Sequence, residues 1–122
     1  MLYLFTLWLM IVGHCVGDYV LQTDFLAKAK SPKFWEGTKD ETGWSPVLTA
    51  HSVIWTACVM APLLLVVWPE IGVPFIVCFM ANSVAHYLID YLKCVGKSNM
   101  ILDQLLHAAQ IAATFAVVTL VR

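Results

Sequence analysis

Three short words in this chain set imidazoles and carboxylates at helical spacing within apolar surroundings. They are His14-Cys-Val-Gly-Asp18-Tyr19, His86-Tyr-Leu-Ile-Asp90-Tyr91 and, in reversed order, Asp103-Gln-Leu-Leu-His107. Residues four apart on an α-helix lie above one another, so each histidine projects on the same face as its aspartate, and Lys93 follows Asp90 on that face. The remaining histidine, His51, stands near the start of a further apolar run. Neutral imidazoles and carboxylates are the usual protein ligands of zinc, manganese and non-haem iron, and i, i+4 pairs on facing helices build the metal sites of helical bundles. Three carboxylates gathered away from water repel one another and resist desolvation, so the pattern demands at least one cation, metal or proton. Lys93 and Lys28 can supply part of that charge. Gln22 and Gln104 are spaced to hydrogen-bond to the ligands and orient them.

Apolar segments must position these groups. The chain has 122 residues, 61% hydrophobic and 12% charged, with a mean hydropathy of +0.80, which is the composition of an integral membrane protein rather than of a soluble domain. A net charge of −1 gives no general attraction to nucleic acid. Cys15, Cys58, Cys78 and Cys94 occur singly, without a C-x-x-C pair, so neither a disulfide framework nor a thiolate zinc knuckle is expected. The apolar runs predict one all-α domain, a four-transmembrane-helix bundle with spans at about 1–22, 46–68, 72–92 and 100–121, each long enough for roughly 30 Å of hydrocarbon. The first run lacks a basic flank and a small-x-small cleavage site, so it reads as a retained helix. It is expected to continue through Asp18, Gln22 and Asp24 to Lys30, where Ser31-Pro32 should stop it. A polar loop, 31–45, follows, with Trp35 and Trp44 suited to the interface. Pro62 predicts a kink in the second span, and Pro69-Glu70 a tight turn after it.

Lys28, Lys30, Lys33, Lys39, Lys93 and Lys97 fall on the first and third connections, opposite Arg122 and the amino terminus. The positive-inside rule then places both termini away from the cytoplasm. With that topology all four histidines lie at one level, and Asp18, Asp90 and Asp103 each lie four residues, about 6 Å, closer to the cytoplasm. The chain also reads as two related hairpins, each ending its first span in H-x-x-x-D-Y and opening its second near a histidine. Val47 stands where a counterpart of Asp103 would fall. Gln110 and Thr114 continue the face of His107 as interhelical hydrogen-bonding groups.

The combination of Gly13-His14, Asp18-Tyr19, Leu21-Gln22-Thr23-Asp24, Lys28, His51, His86-Tyr87, Asp90-Tyr91, Lys93, Asp103-Gln104 and His107 resembles the small bacterial and phage membrane proteins grouped as domain-of-unknown-function family 3307. The likeness covers nearly the whole chain and implies a small multi-pass protein without implying an activity. A more distant likeness, resting on H-x-x-x-D words within membrane helices, is to membrane-bound metal-dependent hydrolases, whose D-I-D-H and H-R-x-x-T-H-S words this chain lacks.

The expectation is a metal-dependent hydrolase acting on a membrane lipid or another phosphoester or ester reached from the cytoplasmic leaflet. His14, His51, His86 and His107 with Asp18, Asp90 and Asp103 would bind one or two zinc, manganese or iron ions, one aspartate serving as general base and Lys93 facing an anionic group. A metal-ion or proton carrier or sensor would use the same residues without a reaction. A non-catalytic phage or host membrane factor would use them as a structural polar cluster. Four helices can close alone, and the sequence equally permits a homo-oligomer.

Overall fold

In a computed structural model, residues 1–68 and 72–120 are described. The Pro69-Glu70 turn and Arg122 therefore lie outside the described residues. The chain is all-helical among those residues, with four helical segments long and apolar enough to cross a membrane: Leu2–Val20, Trp44–Val67, Val73–Cys94 and Met100–Leu120.

Helix α1 (Leu2–Cys15) passes directly into a π-helical turn, Val16–Val20, closed by the amide of Leu21 on the carbonyl of Val16 at 2.9 Å. Such turns bulge the helix by one residue and are frequent at functional sites; this one carries Asp18. The expected continuation to Lys30 does not occur. The chain leaves the helix at Leu21–Thr23, and extended Thr23 caps a new helix, α2 (Asp24–Ala29), by accepting the amide of Leu26 at 3.3 Å. A threonine hydroxyl that satisfies an orphan amide favours a fresh start over continuation. Pro32 likewise opens a single-turn helix, α3 (Pro32–Trp35), because its fixed φ and missing N–H suit the first helical position.

Helix α4 (Trp44–Met60) starts two residues before Pro46, which sits harmlessly in the first turn. The kink expected at Pro62 takes the form of a 3₁₀ turn, Ala61–Leu63, leading into α5 (Leu64–Val67). Helix α6 (Val73–Cys94) ends at Gly96, whose φ of +74° lets the amides of Gly96 and Lys97 return to the carbonyls of Lys93 and Leu92 at 3.0 and 2.8 Å. That is the Schellman arrangement, which a residue without Cβ adopts most easily. Asn99 then caps α7 (Met100–Leu120) by accepting the amide of Leu102 at 2.9 Å.

Helix α4 lies between α1 and α6, and α7 packs against α6. An apolar core of Met10, Trp55, Val59, Met60, Leu63, Val66, Val67 and Ile111 joins α1, α4, α5 and α7. The remainder of the bundle is apolar outside and polar inside: Ile76, Val77, Met80, Val84 and Leu105 are exposed, whereas the buried residues of α6 are Asn82, His86 and Asp90. That inversion is compatible with a bundle surrounded by hydrocarbon. At the α1–α4 crossing, a Cβ on Gly13 would overlap the carbonyl oxygen of Cys58, and one on Gly17 would lie 3.0 Å from Cδ1 of Trp55. These two glycines bring the backbones together and set the depth at which His14 and Asp18 face α4.

Candidate metal centre

The seven expected ligands meet at the end of the bundle nearest α2, α3 and the α6–α7 link. His14 and Asp18 come from α1 and its π turn, His51 from α4, His86 and Asp90 from α6, and Asp103 and His107 from α7. All seven are buried; His86, Asp103 and His107 have no exposed surface.

Nε2 of His51 lies 3.5 Å from Oδ1 of Asp18 and 3.3 Å from Oδ2 of Asp90. Nε2 of His86 lies 4.0 and 3.8 Å from the same two oxygens. Nε2 of His107 faces Oδ2 of Asp18 at 3.8 Å, Oδ1 of Asp90 at 3.5 Å and Oδ1 of Asp103 at 3.6 Å. These separations exceed the roughly 2.7–3.2 Å of an N–H···O hydrogen bond. They come close to the roughly 3.3 Å between two donor atoms that share a tetrahedral ion at about 2.0–2.1 Å. Three overlapping sets could each hold a cation with their donor atoms within 4.8 Å of one another: Asp18, His86 and His107; His51, His86 and Asp90; and Asp90, Asp103 and His107.

Nε2 of His51, His86 and His107, Oδ1 of Asp18 and Oδ1 of Asp103 are buried without a hydrogen-bond partner. Each unpartnered buried polar atom costs about 1–3 kcal/mol, so the convergence of five fits a donor set for a cation better than a self-contained polar network.

The surrounding groups fix how these donors point. Oδ2 of Asp103 accepts from Nζ of Lys93 at 2.7 Å and from Nε2 of Gln104 at 3.1 Å, which turns Oδ1 toward His107. Oε1 of Gln104 is in turn 3.1 Å from Nε2 of His14. Nδ1 of His14 accepts the indole N–H of Trp55 at 3.0 Å, so the His14 proton sits on Nε2 and is donated to Gln104. Both nitrogens of His14 are thus engaged in the chain of hydrogen bonds that orients Asp103, while its Nδ1 also lies 3.5 Å from Oδ2 of Asp18. Trp55 also stacks on His86, with ring centroids 4.1 Å apart.

The buried cation beside Asp90 is Lys30, not the expected Lys28. Nζ of Lys30 donates to Oδ2 of Asp90 at 2.5 Å and to Oε1 of Gln22 at 2.6 Å, while Lys28 is exposed on α2. The break at Leu21–Thr23 resets the helical phase, so a side that follows from Asp18 along one continuous helix does not apply to α2. Gln22 therefore acts on the site through Lys30. Trp55 and the glycine pair also escaped the sequence reading, although Gly13-x-x-x-Gly17 is the spacing of a close helix crossing. Deeper in the bundle, Asn82 receives Gln110 at 3.0 Å and Thr114 at 2.7 Å on its Oδ1, joining α6 to α7.

Four apolar helices around a buried cluster of histidine and aspartate define an all-helical protein of multi-span type with a candidate metal centre. The model of a family described as Protein of unknown function (DUF3307) matches residues 5–122, and the chain belongs to that family. No curated protein and no solved structure matches it.

Proposed function

We propose that this protein is a multi-pass protein of the bacterial inner membrane that binds divalent cations in the His/Asp cluster and uses them to hydrolyse a lipid-like phosphoester or ester. The observation that carries the reading is the set of unpartnered buried nitrogens and oxygens converging at ligand spacing. A bound divalent cation would lower the pKa of water toward about 7 and polarise the oxygen of a phosphoryl or acyl group. In the reaction the water oxygen bonds to phosphorus or acyl carbon as the bond to the alcohol oxygen breaks. One water proton passes through a cluster carboxylate to the departing alcohol. Lys93, which pairs with Asp103 yet keeps about a third of its side chain accessible (35%), would meet an anionic group, which favours a phosphoester.

All six lysines lie on or beside the connections at the cluster end, which supports a cytoplasmic position for the cluster and the opposite side for both termini. A carrier would need the polar path to continue. Among the described residues, segments 1–13, 56–68, 72–85 and 108–120 hold no Asp, Glu, Lys, Arg or His.

The test is metal content and turnover of detergent-purified protein offered phospholipid, phosphomonoester and acyl-ester substrates, beside Asp90→Asn. Stoichiometric metal with turnover that the variant loses is the expected result. Metal without turnover on any of the three would remove the hydrolase assignment, and a metal-free protein after reconstitution with zinc, manganese and iron would remove the metal as well.

A further inference from the structure

The two hairpins, α1 with α4 and α6 with α7, pair His14 with His86, Asp18 with Asp90 and His51 with His107 as sequence counterparts. The site geometry repeats in the same way. His51 and His86 have ring centroids 5.2 Å apart at an interplanar angle of 53°, and their counterparts His107 and His14 lie 5.4 Å apart at 50°. Toward His51 and His107, each aspartate also divides its oxygens between the hairpins. Oδ1 of Asp18 lies 3.5 Å from His51 of its own hairpin and Oδ1 of Asp90 lies 3.5 Å from His107 of its own. Their Oδ2 atoms face the second-span histidine of the other hairpin, at 3.8 Å for Asp18 to His107 and 3.3 Å for Asp90 to His51, and also the first-span histidine of their own, at 3.5 Å for Asp18 to His14 and 3.8 Å for Asp90 to His86.

We infer that the cluster is a binuclear centre, bridged by Asp18 and Asp90, with one divalent cation held by His51 and His86 and a second by His107 and Asp103. This rests on the metal reading above. The first position takes Oδ1 of Asp18 and Oδ2 of Asp90; the second takes the other oxygen of each. Strict repetition would place His14 in the second position as His86 is in the first. The indole of Trp55 and the amide of Gln104 engage His14 instead, and Asp103, which has only Val47 as its counterpart in α4, supplies the missing donor. Ile111 stands at the α7 position that corresponds to Trp55, so nothing equivalent engages His86. Three carboxylates against the ammoniums of Lys30 and Lys93 leave a single negative charge, so two divalent cations require a further anion, a hydroxide or the substrate's own oxygens, to offset the excess. Paired ions at roughly 3.5–4 Å are the arrangement that clamps a phosphoryl group.

The experiment is a manganese titration of the metal-free full-length chain in detergent, with bound metal measured by elemental mass spectrometry and the loaded protein examined by electron paramagnetic resonance. About two ions per chain with an exchange-coupled spectrum is the expected result. His51→Ala and Asp103→Asn should each retain about one ion with the hyperfine pattern of an isolated site. Saturation of the parent at one ion with an isolated spectrum overturns the binuclear centre and leaves single-metal hydrolysis intact. No binding at all overturns both readings. Should either variant lose its helical circular dichroism, the stoichiometry and spectrum of the parent decide alone.

Discussion

A single methyl group at Gly13 should pry α1 from α4. In an isolated helix, Gly→Ala gains about 1 kcal/mol from reduced backbone entropy. Here the added carbon would meet the carbonyl group of Cys58, with Cα of Val59 at 3.2 Å, and backbone atoms cannot rotate aside as a side chain can. Overpacking costs about 1–3 kcal/mol, and contact with backbone places this position at the upper end, for a net loss of about 1–2 kcal/mol. Scaling from soluble domains converts that to a Tm lower by about 3–10 °C. Gly17→Ala is milder, because its Cβ would approach Cδ1 of Trp55 at 3.0 Å and Cα of Trp55 at 3.1 Å; the loss should fall near 0–1 kcal/mol after the helical gain. Both variants should also bind metal more weakly, since Asp18 rides on the displaced segment. Thermal unfolding in one detergent, read by circular dichroism beside metal content, gives the order parent, Gly17→Ala, Gly13→Ala. A Gly13→Ala protein with raised Tm and unchanged metal would refute the close crossing and the placement of Asp18 that depends on it.

Trp55→Phe keeps an aromatic ring against His86 but strips the donor from Nδ1 of His14, and should cost about 1–3 kcal/mol of stability. Metal affinity should fall roughly 10–100-fold as Gln104 and Asp103 lose their orientation, measured by competition with a chelating dye; an unchanged affinity would detach His14 from the site. Lys30→Met should act in opposite directions on the two forms. It leaves Asp90 without its buried partner and destabilises metal-free protein by about 3–5 kcal/mol, yet it tightens cation binding by removing a competing positive charge, so the stability gained on metal addition grows. Weaker binding in Lys30→Met would show that Lys30 supports the loaded site rather than competing with the ion.

The four spans and the polar ends of each were legible because both depend on local pattern. Apolar runs of about 20 residues have one solution in hydrocarbon, and i, i+4 words declare their face once a helix is granted. What escaped depends on how separate segments meet. Lys30 reaches Asp90 only because Thr23 starts a new helix after a three-residue break; nothing in the A-K-A-K run distinguishes its two lysines until that phase is known. His14 and His86 carry the same word, yet one is engaged by Trp55 and the other remains unpartnered. That difference is set by a tryptophan on a third helix, 41 residues from His14, whose indole nitrogen resembles any interfacial anchor in the sequence. The Gly13-x-x-x-Gly17 spacing, by contrast, is a local signal of a close helix crossing that overlaps the His14 and Asp18 word.

The bundle is held by two unlike means, and this bears on what a cation would do to it. In the half away from the cluster, Met10, Val59, Leu63 and Ile111 interlock as a conventional packed core. In the other half the contacts that join helices include His14 to Gln104, His14 to Trp55, Lys30 to Asp90 and Lys93 to Asp103, and the buried residues of α6 are all polar. Few buried apolar side chains press that half together, while the mutual repulsion of Asp18, Asp90 and Asp103 works to part it. Cation binding would then close α1, α4, α6 and α7 around one point and contribute folding energy there. Metal removal should accordingly raise amide exchange in 14–20, 86–94 and 103–107 while leaving 57–67 protected. Uniform loosening of all four helices would mean that the cluster and the apolar core unfold as a single unit.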